Sequence, residues 1–170
     1  MICSGMIDGG PALLRIVSGG QAGVDRAALD VALERGIPCG GWCPAGRAAE
    51  DGPIPAYYPL RETPSSDPAE RTTWNVRDSE ATLLLTTGAA SPGTERTAEL
   101  ARRMGKPLYV ARLDAGADPG HFREWLRAHS FRTLNVAGPR ESESPGIHAA
   151  ASAYLSAVLI PPHPTRFASE

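Results

Sequence analysis

The run Ala81-Thr82-Leu83-Leu84-Leu85-Thr86-Thr87 constrains this chain more than any other segment. Three consecutive leucines at strand length put apolar side chains on both faces, as a strand buried on both sides requires. Such a strand belongs at the centre of a parallel sheet covered by helices on each side. The rest of the chain supplies the elements. Residues 13–17 (Leu-Leu-Arg-Ile-Val), stopped by Gly19-Gly20, read as a buried strand, and residues 37–41 as a second short one. Between them, residues 24–35 predict a helix with Val24, Ala27, Ala28, Val31 and Ala32 on one face and Gly36 as its stop. Asp67-Pro68-Ala69-Glu70 is a helix start with Asp as N-cap, and that helix is expected to reach about residue 78. Further on come a helix over 94–104, a strand over 107–113, and a helix opened by Asp118-Pro119, in which Phe122, Trp125, Leu126 and His129 share a stripe. A strand over 133–137 and a helix starting at Ser144-Pro145 complete the pattern. Alternating strands and helices imply an α/β fold with a mostly parallel sheet and helices on both faces.

A chain of 170 residues is one domain's worth. We expect a leader over 1–12, a single domain over 13–160 and a loose Pro-rich tail over 161–170. The leader lacks a basic start and a continuous apolar stretch, so it does not read as a secretory signal. Seventeen basic residues against nineteen acidic ones leave a net charge of −2, which gives no electrostatic basis for nucleic-acid binding. Apolar stretches fall far short of the ~20 residues that cross a bilayer, so no membrane partner is expected. Three cysteines, an odd number, point to a reducing cytoplasm rather than a disulfide framework. Cys39 and Cys43 lack a second His/Cys pair to complete a zinc set, and no metal site is expected. All basic residues but Lys106 are arginine. Lys106 is followed by Pro107, which excludes a Walker A loop, and any Schiff-base lysine would have to be this one.

In a parallel sheet, ligands bind at the carboxyl ends of the strands, so chemistry is sought in the strand-to-helix loops. The first is Ser18-Gly19-Gly20-Gln21-Ala22-Gly23-Val24-Asp25-Arg26. Its glycines ahead of a helix permit close backbone approach to an anion, with a ligand-free tight turn as the alternative. The G-x-G-x-x-G dinucleotide fingerprint is not met, because Ser18 replaces its first glycine. The second loop, residues 86–94, offers Thr86, Gly88, Gly93 and Thr94 for phosphate or sugar oxygens. Residues 42–64 form a long irregular stretch dense in Gly and Pro, with Gly46, Arg47, Glu50 and Asp51 as candidate ligand groups. Arg47 is the cation expected to pair with the same anion. The polar helix over 67–78 presents Arg71 and Asn75 either to a ligand or to solvent, and Arg140 after the last strand adds one more donor. No nucleophilic triad stands out. His121, His129, His148 and His163 lie outside the glycine loops, and acid–base work falls to Asp25, Glu50 or Asp51.

Residues 17–30, Val-Ser-Gly-Gly-Gln-Ala-Gly-Val-Asp-Arg-Ala-Ala-Leu-Asp, resemble the opening motif of the putative molybdenum carrier family, circularly permuted YpsA-type members of the SLOG superfamily. Gly40-Gly41-Trp42-Cys43-Pro44, Gly46-Arg47, Ala49-Glu50-Asp51-Gly52, Trp74-Asn75-Val76-Arg77-Asp78-Ser79 and residues 134–142 fit the same family in order. The resemblance spans about residues 14–159. It implies a Rossmann-like fold, oligomeric assembly, and binding of a nucleotide or nucleotide-like molecule, with molybdenum cofactor as the suggested cargo. The chain departs from the family at Ala45, where a basic residue is common. Related phosphoribohydrolases carry G-G-x-G-T-x-x-E with a catalytic Glu, and here Thr97 stands at that position after Gly93-Thr94.

The reading that follows is a cytoplasmic binding or carrier protein for a small phosphorylated, nucleotide-like ligand. The alternatives are an N-glycosidase acting on nucleoside monophosphates through Glu50 or Asp51, and a nucleotide-sensing signalling protein. Ile147, Tyr154, Leu155, Val158 and Leu159 give the last helix more apolar surface than one face needs, from which a homo-oligomer is expected.

Overall fold

Strand β5 (Ala81–Thr86) is buried along its whole length because it lies inside a five-stranded parallel sheet. In the computed structural model, which describes residues 15–159, the strand order is β2-β1-β7-β5-β6. The other strands are β1 (Arg15–Val17), β2 (Cys39–Gly40), β6 (Leu108–Arg112) and β7 (Thr133–Ala137). Strand β7 joins the two halves, pairing Leu134 with Ile16 on one side and with Ala81 on the other. The expected leader over 1–12 and tail over 161–170, with residues 13, 14 and 160 of the expected domain, lie outside the described residues. The fold is α/β, single-domain and Rossmann-like.

Alternation along β5 sorts its side chains by face. Ala81, Leu83 and Leu85 join the main apolar core with Ile16, Leu134 and Val136. Helices α1 (Val24–Glu34), α4 (Pro119–His129) and α5 (Ile147–Val158) cover that core. Helices α2 (Pro68–Arg77) and α3 (Pro92–Arg103) pack on each other, with α3 against β5 and β6. This layer carries the buried polar groups Thr82, Thr86, Thr94 and Thr97. The residues behind the homo-oligomer expectation, Ile147, Tyr154, Leu155 and Val158 of α5 and Leu159 just after it, are all buried within the chain itself. The surplus that motivated a homo-oligomer therefore presents no exposed face.

Some boundaries differ from expectation for local reasons. Helix α3 starts at Pro92 instead of 94, because Ser91 Oγ accepts from Thr94 N and serves as N-cap. Helix α5 starts at Ile147, since residues 141–146 form a turn held by Glu141, whose carboxylate accepts from Gly146 N (2.6 Å) and His148 N (3.0 Å). The stretch 42–64 is not an open excursion. It contains a small parallel pair, β3 (Trp42–Cys43) with β4 (Arg61–Glu62). It also carries its own core, in which Cys43, Ile54 and Tyr58 pack on Leu29 of α1.

Lys106 caps α2. Its Nζ donates to Val76 O (2.9 Å), Ser79 O and Arg77 O, satisfying carbonyls left open at the helix end. The ammonium is held in this structural position, and the Schiff-base option closes with it. Replacing it (Lys106→Met) leaves several carbonyls without a charged donor and should lower unfolding free energy by about 2 kcal/mol, read by urea denaturation.

Glu80 and Glu141 each accept two backbone N–H groups, and those donors hold both carboxyls below the usual 4.5. A depressed folded-state pKa contributes stability that is present above the unfolded value and lost as pH falls through the folded one. Urea midpoints should therefore fall as pH drops below about 4.5. In a Glu80→Gln, Glu141→Gln double variant that fall should be shallower.

Candidate functional site

The carboxyl ends of β1, β7 and β5 open onto a cavity of about 390 Å³. Four segments wall it. Gln21 and Asp25 come from the β1–α1 turn, Asp67 to Thr72 from the start of α2, Ser91 to Thr97 from the start of α3, and Ala137 to Glu143 from the end of β7. Helix α3 opens with Pro92, which has no N–H, and Gly93, one of the orphan donors of a helix start. A Cβ added at Gly93 would meet open space.

Asp25 is 3% exposed, and its carboxylate accepts from Arg71 Nη1 at 3.0 Å. Burial pushes this carboxyl up, against the lowering effects of the Arg71 guanidinium and the Gln21 backbone. Arg71 Nε is itself buried with no partner among the described residues. The pair is thus incompletely satisfied on the cation's side. Arg140 binds Glu143 through its guanidinium (2.8 Å) and approaches Glu50 at 3.9 Å. Arg96, by contrast, is exposed on α3 and has no ion-pair partner among the described residues. The cavity's charged lining is balanced in sign: Asp25, Asp67 and Glu143 face Arg71, Arg96 and Arg140.

Of the residues singled out in the sequence, Gln21, Asp25, Gly93 and Thr94 line this cavity, as do Arg71 and Arg140. Ser18 is buried beneath it, its Oγ within reach of Val136 O (3.0 Å) and Asp25 O (3.1 Å). The three glycines of the first loop face protein. A Cβ on Gly19 would overlap the Arg71 guanidinium, one on Gly20 (φ +78°) would strike Leu60, and one on Gly23 (φ +112°) would lie 2.5 Å from Pro139 O. Close approach is the reason for all three, and what approaches is the chain itself.

The other candidates are engaged elsewhere. Arg47 does not reach the cavity; it donates to the carbonyls of Ile54, Pro55, Tyr58 and Leu60, holding the 42–64 segment together. Gly46 N donates to Glu62 in the same segment. Arg26 binds Gly20 O and Asp51. Glu50 accepts from Ser142 N (3.1 Å) and Ser142 Oγ, tying the segment to the β7 loop. Asn75 is 2% exposed and clamps Trp42, accepting from its N–H (2.8 Å) and donating to its carbonyl (2.9 Å). Thr86 is buried in β5, and Gly88 N donates to Asp114. Sequence reasoning did not find Arg96, because nothing in its spacing separates it from Arg102 and Arg103 on the same helix. Among the described residues no cluster of three or more His, Cys, Asp or Glu has metal-binding geometry. No described helix is long and apolar enough to cross a membrane.

Residues 16–159 match the circularly permuted YpsA SLOG family model. The chain is also similar to a solved structure described as a putative molybdenum carrier protein from Syntrophus aciditrophicus SB. Identity is 40%, the match covers 88% of this chain and 97% of that one, and the TM-score is 0.84. No functionally curated protein matches significantly.

The glycine environments separate two substitutions. Gly23→Ala meets backbone atoms at a positive φ, and unfolding free energy should fall by about 2 kcal/mol or more. Gly93→Ala enters open space on a helix, and stability should hold or rise by about 0.5 kcal/mol. Paired thermal and urea melts check the contrast.

Proposed function

Because the chain belongs to the circularly permuted YpsA SLOG family, we propose that it is a binding protein for a small phosphorylated, nucleotide-like ligand, held in the cavity at the ends of β1, β7 and β5. The observation that carries this reading is one cavity at the sheet's carboxyl edge where Arg71, Arg96 and Arg140 converge with the first turn of α3. Arg96 supplies a cation with no ion-pair partner among the described residues, and Gly93 supplies the free N–H of the helix start, Thr94 N being taken by the Ser91 cap. Gln21 and Asp25 offer polar groups for the ligand's uncharged part. A similar protein is described as a putative molybdenum carrier, and since the family resemblance suggests molybdenum cofactor as cargo, a pterin phosphate, with or without molybdenum, is among the ligands to test. The cargo would then be bound and delivered rather than converted.

Ligand at a hundred times its Kd stabilises a folded protein by about 2.7 kcal/mol, or roughly 5–10 °C in Tm for a chain of this size. A thermal-shift series over AMP, GMP and a pterin phosphate should show such a rise for at least one, and Arg96→Ala should weaken its binding about tenfold. No shift with any of them would overturn the reading.

A second reading, N-glycosidic hydrolysis, draws support from one observation. Asp25 is a buried carboxyl on the cavity wall whose pKa is raised by that burial, as suits an acid–base group. This moves the role from Glu50 and Asp51, which bind Ser142 and Arg26. Release of free base from a nucleoside monophosphate, abolished by Asp25→Asn with binding retained, is the expected result. Absence of released base leaves the protein a carrier.

A further inference from the structure

A second hollow of about 270 Å³ lies between α2 and α3, lined by Ala69, Thr73, Arg96, Glu99, Leu100 and Arg103. It shares Ala69 and Arg96 with the main cavity, so the two spaces meet at one small side chain and one unpaired guanidinium. We propose that the ligand is of dinucleotide size: one half in the main cavity, a phosphate bridge at Arg96, and the second half along the α2–α3 groove as far as Arg103. This rests on the nucleotide-binding reading above and names the ligand class for the same site.

Three observations point this way. Arg96 stands at the junction of the two hollows, where a group bridging two halves of a ligand would lie, and no described residue forms an ion pair with it. Arg103 follows it by seven residues on the same helix, two turns or about 10 Å along the groove. Its contact with Glu99 is a surface pair with side chains 72% and 59% exposed, weak enough to exchange for a ligand group. The groove between the two arginines is lined by Leu100 and Ala69 together with Thr73 of α2 and the Glu99 carboxylate, a mixed apolar and polar wall of the kind a ring with N–H donors would lie against. A mononucleotide fills only the main cavity and leaves this groove unused.

Titration calorimetry of AMP and GMP against diadenosine and diguanosine diphosphate tests the proposal. At least one dinucleotide should bind tenfold or more tightly than its own mononucleotide. Arg103→Ala, and separately Thr73→Trp to fill the groove, should bring that dinucleotide to within about threefold of the mononucleotide while leaving mononucleotide affinity unchanged. Arg103 is exposed, so Arg103→Ala alone decides the matter if the tryptophan variant does not fold. Equal affinities in the unmodified protein, or a dinucleotide advantage that survives Arg103→Ala, overturn the proposal. If mononucleotides bind without a dinucleotide gain, only this inference falls. If none of the four compounds binds, it falls together with the reading on which it rests.

Discussion

Strand β7 is what makes one sheet of two strand pairs. Residues 134 and 135 bond to β1 on one side and β5 on the other, so the central ladder closes only when the penultimate element arrives. The loops then interlock: Val24 N donates to Pro139 O, and Glu141 N donates to Ala22 O. Gly23 permits that approach, and so does Gly138, where a Cβ would strike Leu85 O. The cavity wall is thus a by-product of strand pairing across more than a hundred residues of chain, a topology dominated by non-local contacts. Its rigidity derives from the sheet, and its chemistry from four segments that are distant in sequence.

Much of this was legible in the chain because the relevant signals are local. The leucines of β5 declared a strand buried on both faces, and Asp67 declared the start of α2, where its side chain accepts from Ala69 N as a cap should. The motifs over 17–30 and 134–142 fall in two of the four segments that wall the cavity. What spacing does not report is the identity of the approaching group. Glycine in a tight loop says that a Cβ has no room, and the same pattern results whether a phosphate or a neighbouring turn fills the space. Arg47 and Asn75 illustrate a second limit. Both are polar residues in the motifs, yet they satisfy backbone groups of an insertion whose internal order comes from Ile54, Tyr58 and the β3–β4 pair. A long Gly- and Pro-rich segment reads as loop until its side chains are seen to form a core.

The electrostatics of the cavity are those of a site already half-satisfied. Arg71 is committed to Asp25 and Arg140 to Glu143, so an anion entering the cavity would meet one guanidinium without an ion pair among the described residues and two that must be shared. Sharing limits affinity for a bare anion and favours a ligand that brings donors for the carboxylates as well as acceptors for the arginines. A nucleobase or pterin, with ring N–H groups beside a phosphate, has that mixed character.

Lys106, fixed against three carbonyls at the end of α2, also sets how this protein meets reactive chemistry. It is the only side-chain amine in the sequence, and in the fold its Nζ donates to three backbone carbonyls while staying half-buried. Every other basic side chain apart from histidine is a guanidinium, which keeps its charge far into the alkaline range. Amine-directed acyl donors therefore have a single side chain to modify, at the end of α2, and the three arginines of the cavity are beyond the reach of lysine acylation.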